Sequence, residues 1–236
     1  MTDHTGIPIS TLASQLEVGD VIFLRVVPRP FRKVAEATGS WTNHVGIVVG
    51  FSSGHAVVAE SKFPLSRLTG LASFVGRSEQ GRVAVMRLTT PLTGTQRRRL
   101  RSAAQRRLNT LYDTGFNHRS RRQFCSRFVR EVIGEATDIS VGQVQTFATM
   151  LSRHPDTDLS FWRMWYFGRI PWTRETVSPA SLLDSQHLKT VFDGSVGTPS
   201  QHVSFHGSSQ VNGEARLDAL VTSHEIRMSQ IEIGKP

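Results

Sequence analysis

His44-Val45-Gly46-Ile47-Val48-Val49-Gly50-Phe51-Ser52-Ser53-Gly54-His55-Ala56-Val57-Val58-Ala59-Glu60-Ser61 is the stretch on which the reading of the fold turns. Valine and isoleucine dominate both sides of Phe51-Ser52-Ser53-Gly54, and β-branched side chains fit a pleated sheet. Ser and Gly supply the turn between, so the stretch reads as two antiparallel strands of a hairpin. It carries a histidine at its start and a carboxylate near its end. If Gly50 faces Gly54 across a three-residue loop, paired residue numbers sum to 104 and His44 faces Glu60 directly. A sum of 106 leaves the two on one face as diagonal neighbours, and a sum of 105 puts them on opposite faces.

Working outward, Val21 to Val27 is a buried strand bounded by Gly19-Asp20 and by Pro28 and Pro30. Arg82 to Leu88 is another, ended by Pro91, and Leu188 to Phe192 reads as an edge strand. Phe31 to Ala37 forms a short helical turn, and Pro64 to Val75 is irregular or briefly helical. From Thr95 to Leu111, Leu100, Ala104, Leu108 and Leu111 recur at helical spacing with arginines opposite. A second helix runs from about Cys125 to Glu135, with Phe128, Val129, Val132 and Ile133 as its apolar stripe. Residues 159–172 hold Trp162, Trp165 and Trp172 with Phe161, Tyr166 and Phe167, a density that reads as core or pocket wall. A short helix with a Ser-Pro start follows at 178–185. The expected fold is α+β: a small antiparallel sheet of about five strands packed against the Cys125 helix and the arginine-bearing helix. Residues 12–193 form its domain. Residues 1–14 read as a loose lead-in and 194–236 as a polar, mobile tail, with a short helix near Ala215 to Val221.

A chain of 236 residues, 38% hydrophobic, is long enough for one well-cored domain. It has no apolar run of membrane-spanning length and no basic-then-apolar N-terminal signal. The expected location is therefore the cytoplasm, or outside by a route that reads no N-terminal signal. A single cysteine excludes an internal disulfide framework and any CxxC site. No metal or organic cofactor is implied. The formal net charge of +9 favours polyanions such as an anionic membrane surface or acidic envelope polymers. Much of it lies in Arg97, Arg98, Arg99, Arg101, Arg106 and Arg107, and in Arg119, Arg121 and Arg122. These also read as a solvated helix face, and no nucleic-acid motif accompanies them.

A lone cysteine is more often a small buried hydrophobe than a reagent. Cys125 stands instead where a loop turns into an amphipathic helix, beside arginines and at the positive end of the helix dipole, which favours a thiolate. A thiol hydrolase further needs an imidazole within reach, a polar group orienting it, and backbone N–H donors for the oxyanion. His44 and Glu60 supply the middle two on two of the three registers above. Each has a plainer reading as a satisfied histidine and a solvated carboxylate. His55, His118, Asp20 and Asp113 are alternatives that spacing does not separate.

The ordered set Leu16 to Phe23, Asn43-His44-Val45-Gly46-Ile47-Val48, Val58-Ala59-Glu60-Ser61, Tyr112-Asp113 and Phe124-Cys125-Ser126-Arg127-Phe128-Val129 resembles the YiiX/YaeF-like family. These are circularly permuted papain-fold cysteine hydrolases of the NlpC superfamily. Ser178 to Ser185 is similar to that family's C-terminal segment. The resemblance implies Cys125 as nucleophile, His44 as base, Glu60 as the orienting residue, and N–H groups at the start of the Cys125 helix as part of an oxyanion hole. Asp20 and Tyr112 match recurring positions without an assigned role. The implied substrate is a peptide or amide, foremost a peptidoglycan stem peptide, with a secreted antibacterial effector and its immunity protein as one setting. A lipid acyl hydrolase or acyltransferase at membranes, and a non-catalytic basic binding module, are the alternatives.

Overall fold

The computed structural model describes residues 6–197. Its centre is the hairpin of β3 (His44–Ser52) and β4 (His55–Ser61). The turn has two residues, not three: Ser53 and Gly54 both have positive φ (49° and 80°), the backbone of a type I′ turn, and Ser52 pairs with His55. Next to the turn, paired numbers therefore sum to 107, an odd register that would put His44 and Glu60 on opposite faces. A β-bulge restores the parity. Val48 pairs with Val58 but Gly50 with Val57, so Val49 is an extra residue and the sum beyond it is 106. His44 and Glu60 are thereby diagonal neighbours on one face.

On the other side β3 pairs with β2 (Val21–Val26), which pairs with β6 (Ser78–Leu88). Two strands exceed the five expected, and β6 begins at Ser78, four residues before its expected start at Arg82. β5 (Ser66–Gly70) adds to the β4 edge within the segment read as irregular, because Arg67 and Thr69 alternate with half-buried Leu68 too briefly to show a period. β9 (Leu188–Gly197) runs past Asp193: over Leu188 to Phe192 it pairs with β6 alone, as the edge strand expected, and β1 (Ile7–Pro8) pairs in parallel with its last two residues, Val196 and Gly197. The result is a seven-stranded, mostly antiparallel sheet in the order β1-β9-β6-β2-β3-β4-β5. The tail expected over 194–236 and its short helix fall, from 198 onward, outside the described residues.

Side-chain alternation gives this sheet two apolar faces. Val21, Phe23, Val45, Ile47 and Ala59 meet α5 (Cys125–Thr137) through Phe128, Val129, Val132 and Ile133, together with α4 (Gly94–Gln105) through Leu100 and Ala104. Helix α4 stops at Gln105, short of the periodicity that extended to Leu111. Ile22, Leu24, Val48, Val58 and Val85 are covered by α1 (Ile9–Ala13) and α3 (Leu71–Val75). Short elements complete the chain: α2 (Arg29–Ala37), β7 (Gln145–Thr146), α6 (Phe147–Ser152), α7 (Leu159–Trp165), β8 (Glu175–Thr176) and α8 (Pro179–Leu183). Phe147, Met150, Phe161, Trp162 and Ile170 join Ala37 of α2 in a third cluster, with Trp165 and Tyr166 packed against it, so most of the aromatic segment is core and wall; Phe167 and Trp172, read the same way, are instead exposed.

The arginines of α4 and of the turn that follows it are partly neutralised within the protein. Arg106 and Arg107 pair with Glu135, and Arg107 also with Glu131, both on α5. Arg101 donates to the Val49 carbonyl.

Candidate active site

His44 is the first residue of β3, and its position is set by Asn43. The buried Asn43 amide accepts from the Val26 N–H (2.7 Å) and donates to the Val26 carbonyl (2.9 Å), closing the end of β2 against the start of β3. Gly46 lies on the same face as His44. A Cβ there would come within 2.8 Å of the Phe74 ring, so glycine admits Phe74 (α3) against the imidazole, at 5.7 Å between centroids. Held this way, His44 donates from Nε2 to Glu60 Oε2 at 2.6 Å.

Glu60 is fully buried and has four contacts to its two oxygens. Besides His44 it accepts from Thr69 Oγ1 of β5 (2.7 Å) and from Arg77 Nη2, which reaches both oxygens at 2.8 Å. Burial opposes a charge on Glu60. The bond and attraction of His44 and Arg77 outweigh it and hold the carboxyl down to about 2. Burial likewise opposes a charge on His44, but the hydrogen bonds to Cys125 and Glu60, and their charges, raise the imidazole to about 9. The pair is thus a carboxylate and an imidazolium at neutral pH. With Nε2 given to Glu60, Nδ1 is the ring nitrogen left for the thiol.

By alternation, His44 and Glu60 belong to the face covered by α3, whereas Cys125 arrives on the face covered by α5. They meet round the end of the sheet, where β3 begins and α5 begins. The N-cap of α5 is Phe124, whose side chain accepts nothing. Ser, Thr, Asp or Asn would ordinarily occupy that position and engage a first-turn N–H. Their absence leaves those donors and the helix dipole facing the sulfur.

Tyr112 completes the neighbourhood, in a role that pattern reading left blank. Its segment is tied to the cysteine loop by the Asp113 N–H to Gln123 carbonyl bond (2.7 Å) and the Gln123 N–H to Leu111 carbonyl bond (3.0 Å). The buried hydroxyl lies beside Cys125 and finds no other partner among the described residues. Burial and the neighbouring Cys125 push it well above the ordinary tyrosine value, so it stays a neutral donor.

The other candidates are engaged elsewhere. Asp20 accepts from Arg87 (2.7 Å and 2.8 Å) and from the Glu17 N–H, stapling β2 to β6. Asp113 accepts from the N–H groups of Gly115 and Asn117 and shapes its own loop. His55 is exposed at the far, turn end of the hairpin. His118 faces Arg127 and Arg130, and its ring is disfavoured as a cation by burial first and then by those charges.

One space adjoins Cys125, and a second shares wall residues with it. A narrow cavity of ≈ 30 Å³ is walled by Phe31, Tyr112, Phe116, Phe147, Met150 and Trp162. Met150 and Ser178 of its wall also line a polar groove of ≈ 420 Å³, with Gln143, Gln145, Arg153, His154, Ser181 and His187 among its lining.

A histidine strand and an acidic strand that precede a cysteine helix, all converging at one end of an antiparallel sheet, define a papain-like fold of permuted chain order. The chain belongs to the permuted papain-like amidase family YaeF/YiiX, C92, whose family model matches residues 15–192. It is 27% identical over 185 residues to the uncharacterized protein YiiX of Escherichia coli (strain K12), covering 78% of this chain and 90% of that protein. The crystal structure of yiiX from Escherichia coli O157:H7 superposes with a TM-score of 0.68 at 28% identity, over 76% of this chain and 98% of that one. That protein is described as a metalloprotein. Among the described residues here, no three His, Cys, Asp or Glu side chains are grouped to hold a metal ion.

Proposed function

We propose that the protein is a thiol amidase in which Cys125, His44 and Glu60 act as nucleophile, acid–base and orienting carboxylate. The observation that carries this is the buried 2.6 Å His44–Glu60 bond, with Cys125 as the imidazole's other partner. The proton of the thiol resides on His44. The Sγ lone pair attacks the amide carbon, and the carbonyl π electrons move to oxygen. First-turn N–H groups of α5 and the Tyr112 hydroxyl donate to that oxyanion. Collapse breaks the C–N bond, and the leaving amine takes the proton from His44. Neutral His44 then removes a proton from water, the hydroxide attacks the thioester, and the acid product and the thiolate–imidazolium pair are regenerated.

The favoured substrate is a peptide, foremost a peptidoglycan stem peptide. The polar groove beyond Met150 supports this, since its amides, hydroxyls and Arg153 suit an extended chain bearing carbonyls and carboxylates. The same proposal includes action in a cell envelope, with an immunity protein as partner. The apolar cavity beside Cys125 favours a second reading, a lipid acyl hydrolase or transferase. Incubation with purified sacculi and, separately, with phospholipid vesicles decides between them by mass spectrometry. Released stem-peptide fragments are expected; fatty acid or lysolipid release without them would overturn the first reading.

Two substitutions test the surroundings of the pair. Tyr112→Phe is expected to lower kcat about 100- to 1,000-fold with KM little changed, as for loss of one oxyanion donor. An equal rise in KM instead would mark Tyr112 as a binding group. Arg77→Met leaves a buried carboxylate with one fewer cation. Because Arg77 is itself partly open to solvent, the expected destabilisation is about 2 kcal/mol, or roughly 5 °C in Tm. Arg77→Lys is expected to recover part of it. An unchanged Tm in Arg77→Met would show that Thr69 and His44 alone support Glu60.

A further inference from the structure

The turn after α7 places its most exposed apolar side chain where the backbone least favours it. The Gly168 N–H bonds to the Arg163 carbonyl (2.6 Å) and the Phe167 N–H to the Met164 carbonyl (3.2 Å), the bond pattern of a Schellman helix end. In that motif the residue after the C-cap adopts a left-handed conformation and is usually glycine. Here it is Phe167, at φ 51°. A bulky residue in that region is an outlier, and glycine would adopt it without the Cβ penalty. Phe167 is also 96% exposed, and Met164, one turn back, 66%. Strain and exposed apolar surface thus fall on the same residue.

The base of this tip is fixed. Trp165 Nε1 donates to the Thr114 carbonyl (2.9 Å), and Tyr166 Oη and Arg174 donate to the Gly115 carbonyl. Trp162 of the same helix walls the cavity at Cys125. The charged residues between Asp158, which caps the far end of α7, and Glu175, which pairs with Arg119, are all cationic: Arg163, Arg169 and Arg174. Arg163 and Arg169 are exposed, and neither forms an ion pair among the described residues. A convex tip of two side chains is far smaller than the roughly 800 Å² per partner of a stable protein interface. Exposed apolar side chains flanked in the chain by two exposed arginines match the acyl–headgroup boundary of an anionic bilayer, where the phenyl ring enters the apolar layer and the guanidinium groups meet phosphates.

We propose that the Met164–Phe167 tip inserts into the interface of an anionic phospholipid bilayer, with Arg163 and Arg169 on the headgroups, holding the mouth of the Cys125 cavity at the membrane surface. This contact is separate from the chemistry at Cys125 and holds for either substrate reading. The test is co-sedimentation of the full chain with phosphatidylglycerol/phosphatidylcholine vesicles and with pure phosphatidylcholine vesicles. Binding to the anionic vesicles is expected, weakening with salt. Phe167→Gly combined with Met164→Ser should lower the partition coefficient at least about tenfold. Arg163→Gln and Arg169→Gln should each lower it about fivefold. Phe167→Gly alone should leave Tm unchanged or raised, since it relieves the left-handed strain, and should leave amide hydrolysis in solution unchanged. Three results would overturn the proposal: wild-type protein that stays off anionic vesicles, binding indifferent to Phe167→Gly/Met164→Ser, or self-association in solution that these substitutions abolish without any vesicle binding.

Discussion

Cys125→Ala is expected to abolish hydrolysis, and His44→Ala to lower kcat by on the order of 10⁴-fold or more. In the proposed mechanism the two residues work as one unit, the sulfur attacking the carbonyl and the imidazole protonating the leaving amine. Removing both should therefore cost little more than removing either. The chain's single cysteine allows a check that needs no substrate. Iodoacetamide should label the wild type at one site at neutral pH, Cys125→Ala not at all, and His44→Ala at least about tenfold more slowly, because the thiolate has lost its counter-ion. Retained hydrolysis in either variant, or an inert wild-type thiol, would sink the mechanism in favour of a buried cysteine in a basic binding protein. In the wild type, the alkaline limb of kcat/KM should lie near the His44 value of about 9, where the proton for the leaving group is lost.

The second large effect is on Glu60, where activity and stability move together. Glu60→Ala removes the acceptor shared by His44, Thr69 and Arg77 and leaves two cations without their partner. A loss of about 3 kcal/mol is expected, the usual result of breaking a buried pair from one side. Glu60→Gln keeps the shape but not the charge. It should lower kcat at least about 100-fold and move the alkaline limb down in pH, since part of what holds the proton on His44 is gone. The pH dependence of stability has a definite sign. Glu60 is lowered from 4.5 to about 2, so its contribution is present above about 4.5 and is lost as pH falls toward 2. His44 is raised from 6.5 to about 9, so its contribution is complete below about 6.5 and is lost as pH rises toward 9. The pair therefore stabilises the fold most between about pH 4.5 and 6.5. Chemical denaturation across pH should show both limbs in the wild type, with the acid limb flattened in Glu60→Gln. An acid limb unchanged by that substitution would assign it to other carboxylates.

The Cys125 helix, the hairpin strands and the α+β class were legible because their signals are local. β-branched runs, a Gly-bearing turn and an apolar stripe of period 3.6 each state what their own segment does. The choice of His44, Glu60 and Cys125 draws on their order along the chain and on the family resemblance that this order carries. Short or edge pieces were not legible. β1 has two residues and β5 five, too few to display a period, and both exist because a neighbouring strand offers unpaired N–H and C=O groups. Arg77 gave no signal at all: one arginine among many, it becomes a partner of Glu60 only when α3 returns the chain over the sheet.

What the sequence determined by itself was which segments are strands and helices, and that a thiol, an imidazole and a carboxylate stand at their ends. What only the tertiary structure decided was whether these groups meet. The type I′ turn at Ser53-Gly54 starts the hairpin in an odd register, and the extra residue at Val49 turns it even, placing His44 beside Glu60. A strand's side chains alternate with period two, so one inserted residue moves an entire set to the other face. The insertion is paid for in lost ladder pairing within one pair of strands and leaves no local mark in the residues that it brings together. Likewise Tyr112 and Cys125 become neighbours through backbone bonds between distant loops, and the uncapped start of α5 matters only because His44 rounds the end of the sheet to face it.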